Sequence, residues 1–243
     1  MAATAFSRDV FNALQHISES AKWSLSEGVK ALGDVISHHK MQHLTGAIRL
    51  HHHFPLEENE RIVAEVQSDT FISVKPIAVS ATEEAGLIPY QWKYSVEEGA
   101  WFPLQFFRAS KETAAIRDRA FAIFSNVPFL TDVANVLCNV EGGKADQIGL
   151  YALYEDVLKG SSEGLMEWTY TDLKKQSIFP YKAEEGGEPW SEERGTSWRF
   201  SENGDGVIRV FCSCYCNDHP HSHRSWDDSL QRKSALAGSK PAT

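Results

Sequence analysis

Trp198-Arg-Phe-Ser-Glu-Asn203-Gly-Asp-Gly206-Val-Ile-Arg-Val-Phe211 is the stretch that decides the fold class. Asn203-Gly204 supplies the positive φ values that a tight hairpin turn needs. Apolar and β-branched residues flank it on both sides. The segment predicts a β-hairpin whose second strand runs on into Cys212.

Upstream, Leu44 to Phe107 reads as strands. Arg61 to Val66 alternates, and Thr70 to Val79 is rich in β-branched residues. Tyr90, Trp92 and Tyr94 fall on one strand face, as core residues or as the wall of a ligand pocket. Leu165 to Thr171 reads as one more strand, and Lys182 to Gly195 as a polar loop.

Helical spacing occupies the rest. Val10, Leu14, Ile17, Ala21, Leu25, Val29, Leu32 and Ile36 recur three and four apart. Ser24-x-x-Glu27 has the form of a capping box, which divides this stripe into two helices. The stripe packs on its own domain or serves a partner, a second copy included. Ser110–Phe124, Thr131–Leu137 and Ile148–Leu158 are further expected helices, and Pro128 ends the first or opens the next. The expectation is an α+β fold: N-terminal helices, a mostly antiparallel β-sheet, a central helical segment and a C-terminal β-hairpin. One domain covers 1–226, with its helical part at about 7–43. Composition makes 227–243 a disordered tail.

The 243 residues carry a formal charge of −9 and 42% hydrophobic residues. No Lys/Arg-rich run is available to neutralise phosphates, which argues against nucleic acid and anionic membranes as partners. No run approaches the roughly 20 apolar residues of a membrane helix. Arg8 and Asp9 interrupt the N-terminus before a signal peptide could form, and no glycosylation acceptor occurs. A cytoplasmic protein with a small-molecule ligand or substrate is expected.

Chemistry-bearing residues concentrate in Cys212-Ser-Cys214-Tyr-Cys216-Asn-Asp-His219-Pro-His221-Ser-His223. Thiolate and imidazole select zinc, iron or copper. Strand geometry restrains the thiols. Residues i and i+2 stand roughly 6.5–7 Å apart on a strand face, whereas two thiolates on one zinc sit about 3.8 Å apart. Cys212 and Cys214 therefore share an ion only where the strand ends or pinches. His219, His221 and His223 follow the break at Asn217-Asp218 and are freer to ligate. The alternatives are three core cysteines followed by an exposed turn, or a thiol activated by a neighbouring histidine. Cys138 lies alone in an apolar run and is expected in the core.

Nine of the ten histidines lie in two windows, the second being His38–His53. His39 and His43, at i and i+4, suit a chelate on one helix face, or mark a helix end that favours cations. His51 and His53 stand at i and i+2 on an expected strand. His51-x-His53-x₃-Glu57 resembles the first metal-binding motif of the cupins, which implies a metal held in a β-barrel by these residues and a later histidine. Gly46 is one residue too close for that motif, Ala64 stands where the family has glycine, and no histidine lies between His53 and His219. The expected helices between Ser110 and Leu158 also fit a small barrel badly.

The resulting expectation is a transition metal shared by His51 and His53 with Cys212, Cys214, His219, His221 and His223 on a neighbouring strand. An open coordination position would make the protein a metalloenzyme, whether lyase, hydrolase or oxidoreductase. Two other readings stay open. One is a non-enzymatic scaffold whose N-terminal helices associate and whose Cys/His segment is structural. The other is a metal-free enzyme with His53 as general base. The acidic runs at Glu57–Glu60, Glu83-Glu84 and Glu97-Glu98 read as solvated turns. No nucleophile elbow, His-Glu-x-x-His or dinucleotide loop occurs.

Overall fold

The computed structural model describes residues 3–16, 27–68, 71–139, 147–154, 167–172, 177–182, 195–202 and 208–217. In chain order these form α1 (Arg8–Asn12), α2 (Glu27–His38), β1 (Thr45–Arg49), β2 (Glu60–Ser68), β3 (Phe71–Ala78), α3 (Ala81–Glu84), β4 (Leu87–Ser95), β5 (Ala100–Arg108), α4 (Ala114–Ser125), α5 (Val127–Asn139), β6 (Ile148–Ala152), β7 (Glu167–Asp172), β8 (Ser177–Lys182), β9 (Gly195–Glu202) and β10 (Ile208–Asn217). The fold is α+β.

Local chemistry explains the helix boundaries. The Ser7 hydroxyl accepts from the Val10 amide at the start of α1. Ser80 and Glu83 cap α3 reciprocally. Asn126 separates α4 from α5. Its amide donates to the Ile123 carbonyl, and its Oδ1 accepts from the Phe129 amide at 3.1 Å. Pro128 opens α5, in the first turn where its missing N–H costs nothing. The two helices meet at 77°. No single helix among the described residues is long and apolar enough to cross a membrane.

Among the described residues the ten strands close into a barrel, in the order β1-β6-β4-β5-β2-β3-β8-β7-β10-β9. β9 returns to β1 through Ala47↔Trp198 and Ile48↔Ser197. Pairing is antiparallel except for β2 with β5 and β7 with β10. The expected hairpin is present as β9 and β10, with Phe200 opposite Val210 and Trp198 opposite Cys212.

Helices cover one side of the barrel. Val29, Leu32 and Ile36 of α2 are buried, as are Phe129, Leu130, Val133, Ala134 and Leu137 of α5. The N-terminal apolar stripe is thus spent within the chain wherever it is described. Gly33 lets α2 lie on the sheet, because a Cβ there would sit 2.7 Å from the Phe200 ring.

Several expectations change. Residues Ile148–Ala152 form strand β6, where apolar spacing had predicted a helix from Ile148 to Leu158. All five are buried, since the sheet has structure on both faces. Burial on both faces erases the alternation that marks a strand in sequence. With β6 in the sheet, and α4 and α5 the helices among the described residues of 110–158, the helical segments no longer oppose a barrel.

Tyr90, Trp92 and Tyr94 are all core residues. Register shifts around Gln91 interrupt the ladder between β4 and β5, and the three divide between two ring clusters, Trp92 and Tyr94 being linked through the Phe124–Trp101 contact at 6.1 Å. Tyr90 meets Phe107 and Tyr154, Trp92 meets Phe124 of α4, and Tyr94 meets Trp101. Cys138 is exposed rather than core, because the buried face of α5 ends at Leu137. The expected capping residue Ser24, the polar loop at 183–194, the hairpin turn at 203–207 and the tail at 227–243 lie outside the described residues.

Candidate metal centre

β1 stops at Arg49, and the histidines come immediately after it. The Leu50 amide makes the last contact along this edge, to the Gln147 carbonyl at 2.8 Å. The chain then leaves the sheet and pairs with the segment that follows α1. The His52 amide donates to the Gln15 carbonyl at 3.0 Å, and His16 and His52 form a parallel bridge. Asn12 closes the far end, donating to the Leu56 carbonyl at 3.0 Å and accepting from the Leu56 amide at 2.8 Å. His51 and His53 thus sit in a turn strapped down by residues 12–16, not on the strand their spacing had suggested.

That turn brings the two imidazoles together. Their Nε2 atoms are 3.2 Å apart and their ring centroids 5.0 Å apart. Two nitrogens bound tetrahedrally to one zinc, each at about 2.0–2.1 Å, stand about 3.3 Å from each other. The pair therefore has the spacing of two ligands of one ion. The same distance suits an N–H···N hydrogen bond.

Tautomer and charge follow from the surroundings. The His51 Nδ1 faces the Arg49 carbonyl at 3.0 Å. A carbonyl only accepts, so Nδ1 carries the proton and Nε2 keeps its lone pair. Metal-ligating histidines are held in this way by the outer nitrogen. Burial lowers the His51 pKa from 6.5 to about 4; the Arg49 carbonyl opposes the shift, while the Arg49 charge, His52 and His16 add to it. Burial, then His51, His16 and His52, also hold His53 well below the ordinary histidine range. Both rings are neutral at pH 7.

His16 is the member that spacing along the sequence misses. It is the one histidine outside the two windows. Its Nε2 donates to the His53 carbonyl at 3.1 Å, and its ring meets the His52 ring edge-on at 5.5 Å. Only the tertiary pairing of 12–16 with 52–56 reveals it.

The remaining candidates divide. His38 ends α2, and Lys40 then turns the chain with φ 57°, so His39 and His43 do not share a helix face. His39 instead pairs with Asp132 of α5 at 2.8 Å, and His43 is exposed. Glu57, the glutamate of the cupin-like motif, is exposed in the turn before β2, where its amide donates to Glu60. It does not join His51 and His53, so the resemblance ends at the two histidines. Among the described residues no group of three His, Cys, Asp or Glu side chains is arranged to hold a metal.

Register places Cys212 and Cys214 relative to the pair. Ala47 lies opposite Trp198 and Trp198 opposite Cys212; Ile48 lies opposite Ser197 and Ser197 opposite Cys214. β1 and β10 are both antiparallel to β9, so they run the same way. β10 therefore ends, at Asn217, at the end of the barrel where His51 leaves β1. β9 stands between them, so β10 is not the neighbouring strand that was expected but a second neighbour, about 10 Å away at this level. Register shifts fall between Cys212 and Cys214 and between Cys214 and Tyr215. His219, His221 and His223 lie outside the described residues.

A separate pocket of about 290 Å³ lies beside Glu65, Val66, Arg108, Ala109, Ser110, Glu112 and Thr113. It contains no histidine, and Arg108 there is already paired with Glu65 at 2.9 Å. No family model, curated protein or solved structure matches the chain.

Proposed function

We propose that this protein binds one transition-metal ion through His51 and His53, completed by donors from the Cys212–His223 segment, and acts through it on a small organic molecule. The observation that carries the proposal is the 3.2 Å approach of two Nε2 atoms on rings that burial keeps neutral. Neutral imidazoles with thiolates select zinc, copper or iron over calcium or magnesium. The shared direction of β1 and β10 favours Cys214, His219, His221 and His223 as the completing donors, since β10 ends, at Asn217, at the barrel end where the chain leaves β1. The reduced cytoplasm is the compartment in which such thiols remain available.

Two observations weigh against the alternatives. A histidine with a pKa of about 4 beside a still more buried partner is a weak proton acceptor at neutral pH, so a metal-free general base is disfavoured. A scaffold built on the N-terminal stripe would need a face of which Leu14, Val29, Leu32 and Ile36, among the described residues, are already buried in the chain.

Elemental analysis of native protein, kept reduced and away from chelators, tests the proposal. One equivalent of zinc, copper or iron is expected, and His51→Ala with His53→Ala should lose it. A catalytic ion predicts loss of activity with folding spared; a closed structural ion predicts a sharp fall in Tm on chelation. Absence of any stoichiometric transition metal would overturn it and leave the pair as a structural hydrogen bond.

A further inference from the structure

We infer that His16 is a positioning residue of the metal centre, holding the His53 ligand in place through the His53 backbone carbonyl. The inference rests on reading His51 and His53 as ligands. His51 is oriented locally by the Arg49 carbonyl at the end of β1. The backbone that carries His53 is gripped from the N-terminal segment. The His52 amide donates to the Gln15 carbonyl, and the His53 carbonyl accepts from His16 Nε2 at 3.1 Å. The peptide groups on either side of the His52–His53 link are thus both fixed by residues 15 and 16.

The strap is itself anchored. Ser7 caps α1, Phe11 and Leu14 are buried in the core, and Asn12 holds Leu56 from both sides. The His16 ring stands edge-on to the His52 ring, 76° between planes, which aims Nε2 at the carbonyl. Because that carbonyl accepts, the His16 Nε2 carries its proton in the working tautomer. A metal ligand must be held within about 0.5 Å of its productive position by groups outside the coordination sphere. Loss of such outer groups weakens metal binding about 10–100-fold.

The full chain is titrated with Co(II), read by its d–d absorption, in the wild type and in His16→Ala, His16→Phe and His16→Gln. His16→Phe keeps a ring against His52 but removes the donor, so it covers the case in which His16→Ala fails to fold. His16→Gln restores an N–H at a similar reach. The expected result is an affinity loss of about 10–100-fold in the alanine and phenylalanine variants, with an altered absorption envelope, and recovery to within about threefold of wild type in the glutamine variant. Hydrogen exchange at the 52–56 amides should rise and recover in parallel. Wild-type affinity and spectrum in His16→Phe, or a glutamine variant as weak as the phenylalanine one, overturns the inference and leaves the metal centre standing. Failure of the wild type to bind Co(II) overturns the ligand reading, and the inference with it.

Discussion

The Nε2 atoms of His51 and His53 face each other at 3.2 Å inside a turn that keeps both rings uncharged. That relationship couples stability to pH in the metal-free protein. The folded-state pKa of His51 is depressed from 6.5 to about 4. Below pH 6.5 the unfolded chain takes up a proton that the folded chain refuses until about pH 4. The contribution is therefore complete above 6.5 and is lost as pH falls through the window to about 4. One such histidine accounts for about 3 kcal/mol across that window. Urea unfolding of apo protein at pH 7 and pH 4.5 should show the drop, and His51→Gln, which cannot titrate, should reduce it and leave the share that His53 contributes. An unchanged slope in the variant would contradict the assignment.

Gly33 and Phe200 give a prediction of opposite tendencies. Alanine is favoured over glycine within a helix by about 1 kcal/mol. A Cβ at Gly33, however, would stand 2.7 Å from two carbons of the buried Phe200 ring. Overpacking of that kind costs about 1–3 kcal/mol, so the clash wins. Gly33→Ala should lower stability by about 1 kcal/mol, and Gly33→Val by more, in urea denaturation. A stabilised Gly33→Ala would show that α2 can lift from β9 without cost.

The same contact bears on what was legible in the sequence. The α2 stripe and β9 were readable because the buried residues follow a period: three to four residues for Val29, Leu32 and Ile36, and two for Trp198 and Phe200. β6 was not, because Ile148–Ala152 is buried throughout and carries no period. Barrel closure was hidden for the same reason, since it depends on β6 and on β9 reaching β1. The i, i+2 spacing singled out His51 and His53 as candidates but placed them on a strand. Their approach depends on the chain turning after Arg49. His16 had no local signal, because its contact with the His53 carbonyl comes from a pairing between segments far apart in the sequence.

Asn126 joins two helices and should behave as a cap. Its side-chain oxygen accepts from the Phe129 amide, one of the donors that α5 cannot satisfy internally. Asn126→Ala should cost about 1 kcal/mol, with Asn126→Asp close to wild type. Thermal denaturation of the three proteins checks this. Equal losses in both variants would mean that the amide's other contact, its Nδ2 near the Met41 sulfur, matters more than the cap.

Asn12 tests whether the strap over the histidine turn acts as one unit. Its side chain makes two hydrogen bonds to the Leu56 backbone, at 3.0 and 2.8 Å, while His16 grips the His53 carbonyl a few residues away. Removing both bonds leaves the Leu56 amide and carbonyl without these partners, at a cost of about 1–3 kcal/mol. Asn12→Asp keeps only the acceptor for the Leu56 amide and sets a carboxylate against the Leu56 carbonyl, so it should not restore stability. The sharper readout is coupling. If residues 12–16 hold 52–56 as a single clasp, Asn12→Ala and His16→Phe share one loss, and the double variant should fall short of their sum by about 0.5 kcal/mol or more. Strict additivity in urea denaturation would instead mean two independent contacts, with His53 held by His16 alone.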